Sequence, residues 1–249
     1  MIRRLEGPAD AGRFWALLKA EPFLGGRIAT AFQCHQAHPA HCGFFLAGQA
    51  GALAVQGDGA LLCGHADAEE LGLFLAFSGV LRFKSERVRP AGFAPQPQWL
   101  MRYAGPTAPL PAPPFGTLRT TPDLWRLAHA GLLAGTDPAD FYADACARRN
   151  RGLADILAFE VGGQSVATAG VYSLQPGSAY LTAVATHPAH RRRGLAAFLV
   201  GTLARRHAAS RPVQLLCRPA LRPLYEKIGF AAERELCESV RKEGPAAHV

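Results

Sequence analysis

The sequence predicts an α/β protein in which a smaller α/β domain precedes a larger one with a mixed central sheet. Three observations lead there. Apolar residues make up 49% of the 249 residues, enough to bury a sizeable core. Short runs of strand character alternate with segments of helical periodicity along the chain. Between them lies the Pro/Gly/Ala run YAGPTAPLPAPPFG, from Tyr103 to Gly116, whose prolines exclude helix and central strand and make a stiff spacer. The boundary is therefore placed in 105–116, leaving domains 1–104 and 117–249, each close to the usual domain size of roughly 100–150 residues.

In the first domain, DAGRFWALLKAE (10–21) carries Phe14, Trp15, Leu17 and Leu18 at helical spacing. Pro22 interrupts it, and a second short helix follows over 23–33. GFFLAGQAGALA (43–54) reads as strand, turn and strand. Gly57-Asp58-Gly59 is a turn into the strand ALLCGH. An apolar helix over 68–77 and a short strand over 80–84 come next, and WLMRY (99–103) is either a closing strand or a bridging one.

In the second domain, LRTT is a first strand. Thr121-Pro122-Asp123 caps a helix over LWRLAHAGLLAG, and Asp137-Pro138 starts another, ending at Gly152. DILAFE (155–160) and 165–174 form a hairpin around Val161-Gly162-Gly163-Gln164. The strand Tyr180–Thr186 stops at Pro188. Arg191, Arg192 and Arg193 then lead into Gly194 and a helix reaching about Ser210. PVQLLC is a buried strand, a helix runs through Lys227 to a Gly229 C-cap, and a last strand covers 230–240.

The strand, basic glycine loop and helix start make an anion site. First-turn N–H groups are unpaired and the helix dipole adds to their pull, while arginines add charge-assisted contacts. The ordered string Arg191-x-x-Gly194-x-Ala196, preceded by VATHP, resembles the acetyl-CoA signature of the GCN5-related N-acetyltransferase (GNAT) superfamily. LYEKIGF (224–230) is similar to the segment that closes the coenzyme site in that family, and the order β-α-α-β-β-β-α-β-α-β after the linker is similar to its topology. The first domain resembles a reduced, degenerate version of the same fold, with no Arg-x-x-Gly-x-Ala string before residue 100. The family pattern places an Asn between Cys217 and Leu224; CRPALRP has none, and Arg218 or Arg222 stands as the substitute.

The resemblance implies the GNAT acyl-CoA N-acyltransferase fold and direct transfer of an acetyl group from acetyl-CoA to a primary amine of a small molecule or protein. It implies that Val184 and Thr186 hold the pantetheine arm and that the Val184 N–H polarises the thioester carbonyl. Arg191, Arg192, Arg193, Gly194, Leu195 and Ala196 surround the pyrophosphate, Leu195 through its N–H alone. Tyr225 serves as general acid for the departing thiolate. The base stays open among Glu160, His187, His129, a pocket-lining Tyr172 and a water chain. With no carboxylate at Leu181, Thr182 or Ala183, a non-catalytic acyl-CoA-binding or sensing protein is the alternative.

Composition bounds the rest. The net charge of +8 suits an anionic ligand such as coenzyme A, or nucleic acid. The arginines form no basic tail or aromatic-interleaved stripe, and composition alone does not separate the two, while the family resemblance implies coenzyme A with no nucleic acid expected. Six scattered cysteines without a CxxC pair read as free thiols. Cys34-His35-x-x-His38-x-x-His41-Cys42 has zinc-type ligands but no completing cluster, and reads as a polar helix–strand junction; no metal is expected. The start MIRRLEGPAD has no signal-peptide core and no apolar run spans a bilayer, so the reading is cytoplasmic with no membrane. Monomer and homodimer are both open.

Overall fold

A computed structural model describes residues 1–37, 42–105 and 110–242. His38 and His41 of the cysteine–histidine stretch and most of the Pro-rich run's centre lie outside them. The chain forms two compact units, Met1–Gln98 together with the chain from Glu235, and Trp99–Arg234. The described part of 105–116 thus falls inside the second unit.

The first unit opens with β1 (Ile2–Arg4), α1 (Gly7–Ala20), α2 (Pro22–His35), β2 (Cys42–Ala47), β3 (Gly51–Gln56), β4 (Gly59–Gly64), α3 (Ala68–Phe77) and β5 (Arg82–Ser85). β1 is an addition to the sequence reading, since three residues are too few to show a period. It pairs antiparallel with β2, Ile2 opposite Ala47. Pro22 occupies the first turn of α2, where its missing N–H costs nothing. The sheet order is β1-β2-β3-β4-β5, with β4 and β5 parallel. Its outer partner at β5 is the end of the chain's last strand, β12 (Phe230–Arg241), Cys237 opposite Ser85. Phe14, Leu18, Ile28, Phe44 and Leu46 fill the core beneath α1 and α2.

β6 (Phe93–Tyr103) begins earlier than the sequence predicts, running through Pro95 and Pro97. Its pairing with β11 involves only Trp99–Arg102, so the prolines fall outside that ladder.

The second unit takes up the end of β6 and continues with β7 (Thr117–Arg119), α4 (Leu124–Ala128), α5 (Pro138–Asn150), β8 (Asp155–Val161), β9 (Gln164–Gln175), β10 (Ser178–Thr186), α6 (Leu195–Ala208), β11 (Val213–Cys217) and α7 (Arg222–Ile228). The sheet order is β6-β11-β10-β9-β8-β7. α4 is much shorter than the predicted helix through Gly135. Asp123 caps its start at the Arg126 N–H, but Gly131 and Gly135 adopt φ of +66° and +74°, which a continuing helix does not allow. One face of the sheet is buried under α6 and α7 by Leu181, Leu195, Leu199, Leu203, Leu215 and Ile228. The other face is covered by α4 and α5, through Leu124, Leu127, Ala145, Ile156 and Tyr172.

Candidate active site

The parallel pairing of β10 with β11 covers Ala179–Leu181 opposite Val213–Leu215. β10 then runs on to Thr186 while β11 ends at Cys217, so the two strands part. On its other side β10 slips against β9. Thr182 faces Gly170 and Ala185 faces Thr168, leaving one extra residue on β10, and Ala183 takes φ of +52°. Such a bulge turns the strand's backbone away from regular pairing. Val184 sits in it, half-buried, and Thr186 closes the strand with a buried Oγ1 that has no hydrogen-bond partner among the described residues.

The loop that follows is held locally. Pro188–His190 make a 3₁₀ turn, His187 Nδ1 accepts from the Ala189 N–H at 3.3 Å, and Arg191 Nε donates to the Thr186 carbonyl at 3.2 Å. Arg192 and Gly194 are both left-handed, with φ of +62° and +78°. Gly194 is the N-cap of α6 and no side chain caps the helix. Its carbonyl accepts the first helical bond, from Phe198 N at 2.9 Å, so the N–H groups of Leu195, Ala196 and Ala197 stand in the unpaired first turn. Arg191–Gly194 are exposed, while the Leu195 side chain is buried in the core. Arg193 leans over the Phe115 ring at 5.4 Å.

Tyr225 lies on α7 within the buried cluster that includes Cys217, Ile228 and Phe230. It is buried, packs against Phe230 at 6.1 Å, and its phenol is pushed up to about 12, first by burial and then by the neighbouring Cys217 and Tyr180. It therefore keeps its proton at neutral pH, above the roughly 8.5 of an ordinary thiol. Of the two arginines proposed in place of the missing Asn, Arg222 is engaged, lying 4.6 Å over Trp99 and donating to Glu226 at 2.7 Å. Arg218 is exposed.

Three of the candidate bases have structural partners, while the fourth, Tyr172, has a buried hydroxyl with none among the described residues. Glu160 accepts from Arg119 Nε at 2.7 Å. His129 bonds the Trp125 carbonyl at 2.9 Å and stacks on that ring. His187 is the loop cap described above. Sequence reasoning missed Phe115, which supports Arg193, and the Ala183 bulge; neither residue type signals its role.

The first unit has a parallel strand pair of its own. Its β4–β5 pairing runs Gly59–Leu61 opposite Arg82–Lys84, so Gly64 stands where Val184 stands in the second unit. Glu21 Oε2 accepts from the Gly64 N–H at 3.0 Å. Burial raises that carboxyl's pKa. The start of α3 is also filled, because the Asp67 carboxylate accepts from Glu69 N at 3.1 Å and Glu70 N at 2.8 Å. Among the described residues, no His, Cys, Asp and Glu cluster suits a metal ion, and no helix is long and apolar enough to cross a membrane.

This arrangement is that of the GNAT fold. Residues 121–230 match the model of the acetyltransferase (GNAT) family, and they form a GNAT domain. The chain is similar over 99% of its length to 99% of a tandem GNAT protein from the clavulanic acid biosynthesis pathway, with a TM-score of 0.61 and 15% identity. A GCN5-related N-acetyltransferase from Kribbella flavida matches with a TM-score of 0.58 and 18% identity, covering 89% of this chain and 97% of that one. An acetyltransferase of the GNAT family from Colwellia psychrerythraea matches with a TM-score of 0.58 and 13% identity, over 97% and 100%. At these identities the likeness is one of fold. No curated protein sequence matches the chain.

Proposed function

We propose that the protein is an acetyl-CoA-dependent N-acetyltransferase that moves the acetyl group directly from the thioester to a primary amine. The observation that carries this reading is the parting of β10 from β11 at Leu181, with the bulge at Ala183 and the uncapped start of α6 following on the same strand. The fit to coenzyme A rests on this chain's own groups. The unpaired first-turn N–H groups and the left-handed Arg192 and Gly194 suit a pyrophosphate, with Arg191 and Arg193 beside them. The unpartnered Thr186 hydroxyl suits the amide-bearing pantetheine arm.

In the reaction the amine nitrogen bonds the acetyl carbon and the carbon–sulfur bond breaks. The Val184 N–H stabilises the oxyanion. Tyr225 gives its proton to the leaving thiolate, and the amine's proton passes to water. The partners of Glu160, His129 and His187 favour water over a side-chain base in that last step. They equally favour the second reading, an acyl-CoA-binding or sensing protein without turnover.

Calorimetry with acetyl-CoA should give one site per chain, because Glu21 and Asp67 fill the corresponding positions of the first unit. Thiol release from acetyl-CoA across an amine panel then separates the readings. Binding without release for any amine leaves the sensing protein; no binding removes both.

A further inference from the structure

The mechanism leaves one built feature unused, a second bulge on the opposite strand. Tyr180 faces Ser173 and Leu181 faces Val171, so Tyr172 is the extra residue of β9. A bulged residue is re-aimed and loses regular ladder partners. Here the Tyr172 carbonyl is taken by Arg148 Nη1 at 2.7 Å, from α5, and Arg148 is itself held by Asp144 at 2.7 Å. Arg148 is a mostly buried guanidinium, 9% exposed, spent on fixing one strand carbonyl.

The tyrosine ring is directed as well as held. A Cβ at Gly170 would lie 2.4 Å from Tyr172 Cε2, so the ring folds back over Gly170 and a larger residue there would displace it. Gly170 faces Thr182, the last paired residue before the β10 bulge. Ala183 of that bulge packs at the margin of the same apolar cluster, with Phe141 6.0 Å from the tyrosine ring. Tyr172 is 7% exposed, yet its hydroxyl has no hydrogen-bond partner among the described residues. Leaving a buried hydroxyl unpaired is costly, so such a group marks a place that a partner fills. Burial raises the phenol's pKa, which keeps it a neutral donor.

We propose that Tyr172 is a specificity-determining residue of the acceptor side of the site, whose hydroxyl donates to an oxygen carried close to the reacting nitrogen. The preferred acceptors are thus amines bearing a neighbouring hydroxyl or carbonyl rather than plain alkylamines. Arg148 is a positioning residue, acting through the Tyr172 carbonyl. The inference rests on the acetyltransferase reading above.

The test is Tyr172→Phe, which keeps the ring and its packing. Initial rates of thiol release are measured for wild type and variant with ethanolamine and with propylamine, alongside acetyl-CoA affinity and the thermal unfolding midpoint. Wild type should prefer ethanolamine about tenfold or more in kcat/KM, the scale set by one hydrogen bond in a buried site. The variant should lose that preference, chiefly through KM, with acetyl-CoA affinity unchanged and the midpoint no lower. An unchanged preference in the variant, or none in wild type, overturns the role of Tyr172 while leaving the acetyltransferase reading intact. A lowered midpoint shows a structural partner for the hydroxyl and also overturns it. No thiol release by wild type with any amine refutes the acetyltransferase reading itself, and the inference falls with it.

Discussion

Arg192 and Gly194 offer a matched pair of substitutions with opposite signs. Both residues are left-handed, but only one is a glycine. A side chain in that region costs about 1–2 kcal/mol, while glycine adds about 0.4–1 kcal/mol of unfolded-chain freedom. Arg192→Gly should therefore stabilise by about 0.5–1 kcal/mol, and Gly194→Ala should destabilise by a similar amount. A Cβ at Gly194 would meet nothing within 4 Å, so the cost there is conformational and not a clash. For a chain of this size those energies shift the unfolding midpoint by about 1–4 °C, upward for Arg192→Gly and downward for Gly194→Ala. If the loop backbone cradles the pyrophosphate, a loop that relaxes in Gly194→Ala must return to the left-handed form to bind. That weakens acetyl-CoA by about two- to fivefold. Differential scanning calorimetry and isothermal titration read the two quantities. A lower midpoint for Arg192→Gly, or a Gly194→Ala variant equal to wild type in both, would refute the reasoning.

Further expectations concern single contacts. Tyr225→Phe should keep the fold and the acetyl-CoA affinity but lower kcat by about 100-fold, the usual worth of a positioned acid; stopped-flow thiol release measures it. Asp155 is worked on first by burial, which raises its pKa, but the bonds from His207 at 2.8 Å and Arg206 at 2.8 and 2.9 Å hold it below the usual carboxylate range. A depressed carboxyl stabilises above its unfolded value, near 3.9, and that contribution is lost as pH falls through the lowered folded value. The stability gap between wild type and Asp155→Asn should thus close as pH falls through the lowered folded value, as read by urea unfolding. Asp67→Ala should cost about 1 kcal/mol by removing the α3 cap, seen as a lower urea midpoint. Retained stability would show that the cap bonds at Glu69 and Glu70 are replaced by water.

How much was legible in the chain follows from how local each feature is. The anion loop is set by contiguous residues. Thr186 ends the strand, Pro188 forces the turn, and Gly194 opens α6, so the order of strand, loop and helix is readable without knowledge of neighbours. The segment LYEKIGF likewise places Tyr225 on α7 and Gly229 at its left-handed C-cap, φ +107°. What tertiary structure alone decided are pairings between distant residues. Nothing in TAVAT or GVYSL marks an extra residue, because a bulge is defined by the strand opposite; the slips at Tyr172 and Ala183 exist only in the β9–β10 register. The pairing of the end of β6 with β11 and of the end of β12 with β5 is likewise unmarked in the strands themselves. The bond from Gly64 to Glu21, spanning 43 positions, separates a strand end that is already filled from its counterpart at Val184. Local chemistry thus set the basic loop and the start of α6, while long-range pairing decided which strand bulges and which strand end already has its N–H taken by a carboxylate.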